Sequence, residues 1–80
     1  SGAGEDLPAI AVGAEGLRIA ALLTAIGLTT SSGEAKRKLA EGAVKLDGET
    51  ITDPAHLIQP SEGKTLRLSL GKKRHALVHR

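Results

Sequence analysis

Residues 30–51, TSSGEAKRKLAEGAVKLDGETI, decide the fold because they join a short helix to a tight hairpin. Ser31 can cap the helix while Glu34 reaches back to the cap, which is the S-x-x-E capping box. Ala35 and Leu39 lie about one turn apart and form a narrow apolar stripe. The stretch therefore predicts a helix that begins at Ser31 and packs through one edge.

The residues that follow predict where this helix ends and how the chain turns back. Gly42 stands where a left-handed residue would end the helix. Residues 44–46, VKL, alternate in polarity and predict a short strand from which Lys45 faces outward. Asp47-Gly48 is a strong signal for a two-residue hairpin turn.

Positive charge collects on one side of this helix–hairpin unit. Lys36, Arg37 and Lys38 are consecutive, so they fan out around the helix. Lys36 and Lys38 flank the apolar stripe, whereas Arg37 points further outward.

The same stretch resembles the S4 RNA-binding domain, whose second helix reads S-x-[GS]-E-A-[RK]-[RK] and is followed by G-x-V-x-[LV]-[ND]-G. The matching positions are Ser31, Gly33, Glu34, Ala35, Lys36, Arg37, Gly42, Val44, Leu46, Asp47 and Gly48. Residues 71–78, GKKRHALV, resemble the last segment of bacterial-type tyrosyl-tRNA synthetases, which carry an S4 domain at the C-terminus. The resemblance covers roughly residues 15–79. Two positions depart from it: Lys38 replaces a common apolar residue, and Asp47 replaces a common asparagine.

The resemblance implies an α+β fold of the S4 type (the αL motif), with two packed helices followed by a small, mainly antiparallel sheet. Residues 15–80 would form this domain. Residues 1–14 are rich in Gly and Ala and predict a linker or an extended N-terminal arm. A linker before a small domain is typical of a piece detached from a larger protein.

The remaining elements follow from periodicity. Apolar residues at helical spacing predict a first helix over residues 15–26, which ends at Gly27. Residues 57–58 are expected to plug the end of the sheet. Residues 64–70 alternate, with leucines on one face, and predict a half-buried strand, and residues 75–79 predict another.

The amino-acid composition limits the kinds of ligand and partner that this chain could bind. Cysteine is absent from the 80 residues, which excludes disulfides and thiolate metal sites. The net charge is only +2, yet no acidic residue follows Glu62. The cations beyond it are Lys64, Arg67, Lys72, Lys73, Arg74 and Arg80. A basic half of this kind indicates a polyanionic partner.

Without Phe, Trp or Tyr, the chain has no platform for stacking bases, so RNA would be bound through phosphates, riboses and helical shape.

The sequence gives little support for nucleophilic catalysis, metal binding or membrane insertion. No G-x-S-x-G elbow is present for a serine nucleophile. His75 and His79 on a strand would lie about 13 Å apart, too far to share one metal ion. No apolar run approaches the roughly 20 residues that cross a bilayer. We therefore predict no catalytic residue, metal, cofactor or membrane contact in this chain.

The predicted RNA-binding residues come from three segments. Helix starts attract phosphate, and hydroxyls placed there can bind it as well. The candidates are Ser31, Ser32, Lys36 and Arg37 on the helix, Lys45 on the hairpin, and Lys72, Lys73 and Arg74 beyond the long strand. The alternative is that these are separate, solvated basic patches with no common partner.

The resemblance implies the C-terminal domain of a tyrosyl-tRNA synthetase, a cytoplasmic, homodimeric ligase that joins tyrosine to its tRNA using ATP. The domain would hold the long variable arm and the anticodon stem of tRNA(Tyr) and would itself be inert in aminoacylation. Other S4 hosts remain open: a pseudouridine synthase, a ribosomal protein or a heat-shock protein. So does a protein-interaction module whose basic face docks on an acidic partner.

Overall fold

The computed structural model describes residues 7–80, which form two helices and seven strands. The helices are α1 (Ile19–Ala25) and α2 (Ser32–Ala40). The strands are β1 (Ala9–Ala11), β2 (Leu17–Arg18), β3 (Val44–Leu46), β4 (Glu49–Thr50), β5 (Leu57–Ile58), β6 (Thr65–Leu70) and β7 (Arg74–His79). The predicted α+β class, with packed helices and a mainly antiparallel sheet, is confirmed.

Five strands form the main sheet, in the order β1-β7-β6-β3-β4. All pairs in it are antiparallel except β1 with β7. The register places Leu70 opposite both Val44 and Arg74. The start of β3, the end of β6 and the start of β7 therefore meet at one end of the sheet.

Strand β1 falls within the predicted linker or arm over residues 1–14, of which residues 1–6 lie outside the described part. It runs parallel to β7, with Ile10 opposite Val78. The Leu77 N–H donates to the Pro8 carbonyl and the Val12 N–H donates to the His79 carbonyl, each at 2.8 Å. Hydrogen bonds beyond both ends of the strand thus extend this pairing.

One face of the sheet and both helices share a single apolar core. The buried leucines of β6 are Leu68 and Leu70, with Leu66 half-buried beside them, so the predicted inward face of this strand is confirmed. Helix α2 contributes Ala35 and Leu39, both with no exposed surface. The remaining core members are Val12, Ile19, Ala20, Leu22, Leu23, Leu28, Val44, Ile51, Ile58, Ala76 and Val78.

Both helices end at the glycines predicted from the sequence. After α1, the Leu28 N–H donates to the Leu23 carbonyl at 2.9 Å and the Gly27 N–H donates to the Thr24 carbonyl at 3.1 Å. This pair of bonds is the Schellman motif, which needs a left-handed residue, and Gly27 has φ +83°. The equivalent bonds close α2 at Gly42, where φ is +77°. Two identical stops set the directions in which the chain leaves the helices.

The first helix is shorter than the sequence predicts. It begins at Ile19 rather than residue 15, because Gly16 turns the chain with φ +75° and β2 follows. A Cβ at Gly16 would lie 2.7 Å from the Ile58 carbonyl oxygen, so only glycine allows this approach. The prediction that residues 57–58 plug the end of the main sheet is also wrong. They form β5, which pairs with β2 in a separate two-stranded sheet.

The start of α2 differs from the predicted capping box in one contact. Ser31 is the N-cap, and its Oγ accepts the Glu34 N–H at 3.1 Å, as predicted. The Glu34 carboxylate, however, reaches past the cap to Thr30, accepting its N–H at 2.7 Å and its hydroxyl at 3.1 Å. These hydrogen bonds lower the pKa of Glu34 below its ordinary value, with smaller contributions from Lys38 and Arg37.

We expect Leu39→Asp to unfold the domain. Losing a buried leucine costs about 2–5 kcal/mol, and the carboxylate adds an unpaired charge to the core. The total stability of a domain this size is on the order of 5–10 kcal/mol. Ala40→Asp places the same group on the neighbouring exposed position and should cost at most about 1 kcal/mol. Thermal unfolding followed by circular dichroism makes the comparison, and equal melting temperatures would contradict the assignment of Leu39 to the core.

Glu34→Gln tests the charge at the start of α2. Because the folded-state pKa of Glu34 is lowered, the unfolded chain binds more protons in the acid range. The stability that this charge contributes is complete above about pH 4.3 and is lost as the pH falls through the lower folded-state pKa. We expect the wild-type chain to be more stable than Glu34→Gln near neutral pH and the two to converge in acid.

Thermal melts at several pH values measure this difference. Glu62→Gln, in the exposed loop before β6, removes the same charge away from α2 and is the matched control. A gap between wild type and Glu34→Gln that does not narrow as the pH falls through the acid range would contradict the proposed role of the carboxylate.

Candidate nucleic-acid interface

The turn between β6 and β7 and the first residue of β7 carry three consecutive exposed cations, here called the basic corner (Lys72, Lys73 and Arg74). It follows Gly71, which has φ +69° and turns the chain out of β6. The Gly71 N–H donates to the Ala43 carbonyl at 2.9 Å. Because Ala43 comes directly after the stop of α2, this bond fastens the corner to the end of that helix.

Arg74 connects the corner to the other helix. Its guanidinium Nη2 donates to the Gly27 carbonyl at 3.3 Å, across 47 residues of chain. Gly27 is the stop of α1 and begins the loop that leads to Ser31. The corner therefore touches the chain at both ends of the segment that contains α2.

The cations of α2 differ in how they are placed. Lys36 and Arg37 are exposed, whereas Lys38 is half-buried and its Nζ lies 3.8 Å from Glu41 Oε1. In residues 7–80 this is the one ion pair that involves a cation of α2. The lysine that departs from the S4 pattern is thus partly neutralised, which leaves Lys36 and Arg37 as the stronger candidates for phosphate contact.

The hydroxyls at the start of α2 are exposed but lie beside a carboxylate. Ser31 Oγ accepts the Glu34 N–H, and the Glu34 carboxylate is hydrogen-bonded to Thr30 next door. A phosphate at Ser31 and Ser32 would gain from the helix N-terminus and would be repelled by Glu34. The local electrostatics therefore favour the cations over the hydroxyls as the main contacts.

Lys45 lies on the other side of the sheet. Val44 is buried against the helices, so alternation along β3 points Lys45 away from them, and it is exposed. Its cross-strand partners are Ser69 and Thr50. Strand register thus brings Lys45 and the basic corner to the same end of the sheet, with Lys45 on the face opposite the helices.

We call that face the open face. Its side chains, assigned by alternation and strand register, are those of Ala9, Ala11, Lys45, Thr50, Thr65, Arg67, Ser69, His75, Leu77 and His79. None of them is buried. Alternation along residues 64–70 predicted the outward positions of β6, but the neighbours of Lys45 depend on strand register, which the sequence did not predict.

The structure offers no enclosed site. Residues 7–80 contain no pocket, and no three of their histidine and acidic side chains lie close enough together to hold a metal ion. His75 and His79 share the open face, and the ring Nε2 of His75 lies 2.9 Å from the Lys72 carbonyl oxygen. In the same part of the chain, neither helix has the length and hydropathy needed to cross a membrane.

The chain is similar to known proteins over nearly its full length. Residues 1–78 match the model of the family described as the tyrosine–tRNA ligase SYY-like C-terminal domain. A tyrosine–tRNA ligase of Xanthomonas axonopodis pv. citri is 49% identical over 72 residues, covering 90% of this chain and 17% of the relative. That of Xanthomonas campestris pv. campestris is 52% identical, with coverage of 90% and 17%. That of Novosphingobium aromaticivorans is 39% identical, with coverage of 99% and 19%. The chain spans less than a fifth of the length of each of these relatives.

Proposed function

The chain belongs to the family of tyrosine–tRNA ligase C-terminal domains, and from this membership we propose that it binds tRNA on behalf of a longer ligase. The observation that carries the proposal is the placement of the basic corner, which is fastened to the ends of both helices. Lys36 and Arg37 of α2 are exposed as well.

The chemistry of this surface favours the ribose–phosphate backbone. The chain has no Phe, Trp or Tyr on which an unpaired base could stack. Ammonium and guanidinium groups bind phosphate oxygens and displace the counterions that surround RNA, so the affinity should fall steeply with salt concentration. Recognition would then depend on the shape and position of RNA helices rather than on base edges.

We assign the RNA segment that is held as the long variable arm of tRNA(Tyr) and its anticodon stem. The relatives are named tyrosine–tRNA ligases, and the proposed parent is a homodimeric, cytoplasmic enzyme of that activity that uses ATP. This domain has no part in the chemical step. It supplies affinity and orientation, which place the acceptor end of the tRNA at a distant catalytic site.

The double substitution Lys36→Glu/Arg37→Glu tests the surface on α2. Reversing two adjacent charges that face the phosphates should lower the affinity for tRNA at least about tenfold and reduce the slope of log affinity against log salt. Both side chains are exposed, so the melting temperature should stay close to that of the wild type. Filter binding at several salt concentrations measures the effect.

Lys64→Glu/Arg80→Glu is the matched control. It changes the net charge equally, but Lys64 precedes β6 and Arg80 follows β7, at the end of the sheet away from the basic corner. It should weaken binding far less than the α2 double substitution does. Equal losses for the two variants would mean that net charge alone governs binding and that α2 is not the contact surface.

The identity of the RNA is tested separately, with tRNA transcripts that differ only in the variable arm. The wild-type chain should bind a tRNA with a long variable arm more tightly than the same tRNA with the arm shortened. Equal affinity for both, and for any RNA duplex, would point to the S4 domain of another kind of host. No affinity for RNA at low salt would leave a protein-interaction module.

A further inference from the structure

The open face of the sheet is polar, basic and free of carboxylates along its strands. Its ten side chains include Lys45, Arg67, His75 and His79 and no aspartate or glutamate. Glu49 in β4 lies opposite Leu46, so it is on the side of the helices. Its formal cations are Lys45 and Arg67, so the face carries net positive charge.

The groups that could bind an anion are aligned across adjacent strands. Lys45, Ser69 and His75 occupy one row, because Ser69 is the partner of both of the other residues. Neighbouring strands lie about 4.8 Å apart, so the Lys45 ammonium group and the Ser69 hydroxyl are neighbours. The ring of His75 lies beside them, but its Nε2 contacts the Lys72 carbonyl and its Nδ1 is buried. Thr65 and His79 form a second row toward the other end of the face.

We infer that the open face is a second contact surface for RNA, which binds a ribose–phosphate segment other than the one held by α2 and the basic corner. This inference rests on the proposed function, because it supposes that the chain binds tRNA. The sheet itself separates the two surfaces, so one straight duplex cannot lie on both. They meet at the basic corner, where β3 begins and β7 starts, and a folded RNA with two helical arms can reach both.

The composition of the face favours RNA over a protein partner. Leu77 is its one large apolar side chain, and the chain has no Phe, Trp or Tyr to anchor a protein interface. The centres of protein interfaces are depleted in charge and enriched in aromatic residues. Asp47, in the adjoining turn at the edge of this face, accepts the Arg67 N–H on a carboxylate oxygen at 2.7 Å.

The three histidines of the chain provide an internal comparison. His75 and His79 lie on the open face, whereas His56 lies in the turn before β5, beside the start of α1. Addition of a tRNA(Tyr) transcript to the wild-type chain should shift the imidazole proton resonances of His75 and His79 and leave those of His56 unchanged. His79 is decisive, because the ring of His75 contacts the Lys72 carbonyl and could respond to movement of the corner.

Ser69→Glu tests the same surface by affinity. It places a carboxylate between Lys45 and His75, where it should weaken tRNA binding about fivefold because it faces the phosphates. Ser61→Glu makes the same substitution in the exposed loop before β6 and should change the affinity less than about twofold. If Ser69→Glu does not fold, the histidine resonances of the wild-type chain decide the question alone.

The outcomes separate this inference from the function on which it rests. Silent His75 and His79 resonances, with binding that still depends on Lys36 and Arg37, would overturn the second surface and leave the proposed function standing. Equal affinity of folded Ser69→Glu and Ser61→Glu would do the same. Absence of any tRNA binding by the wild-type chain would overturn both.

Discussion

The register that aligns Val44, Leu70 and Arg74 is the constraint on which the surface depends. Main-chain hydrogen bonds bring together Val44, which follows α2, Leu70, the last residue of β6, and Arg74, the first residue of β7. The cations next to these positions are close in space because the backbone holds them there. Mutual repulsion opposes this gathering, and the burial of Val44 and Leu70 against the helices offsets it.

Structural features that depend on neighbouring residues could be predicted from the sequence, whereas a feature that depends on residues far apart in the chain could not. The stops at Gly27 and Gly42 and the Asp47-Gly48 turn were predictable because each needs a left-handed backbone that its own residues permit. The N-terminal boundary of α1 was not, because apolar periodicity continues through Leu17 while a partner 41 residues away, Ile58, draws that residue into a strand. The Glu34 contact was missed by one position, because Thr30 offers both an N–H and a hydroxyl to the carboxylate.

For the candidate surface too, some features could be predicted from the sequence and others could not. The cations could be named from the sequence, since charge is a property of single residues. Their arrangement could not, because it rests on the bond from Arg74 to Gly27 and on the strand register. Alternation predicted that Lys45 faces outward, but only the packing of the helices determined which side of the sheet this was. Because Lys45 lies on the side of the sheet away from the helices, it belongs to the open face and not to the surface formed by α2 and the basic corner.

The parallel pairing of β1 with β7 has a mechanical consequence. Force that separates residue 7 from residue 80 pulls these two strands in opposite directions along their length. Their hydrogen bonds are then loaded together in shear, whereas strands pulled apart from one end would unzip one bond at a time. A pull on the N-terminal end of β1 against the C-terminal end of β7 is thereby resisted by all the hydrogen bonds of this strand pair at once.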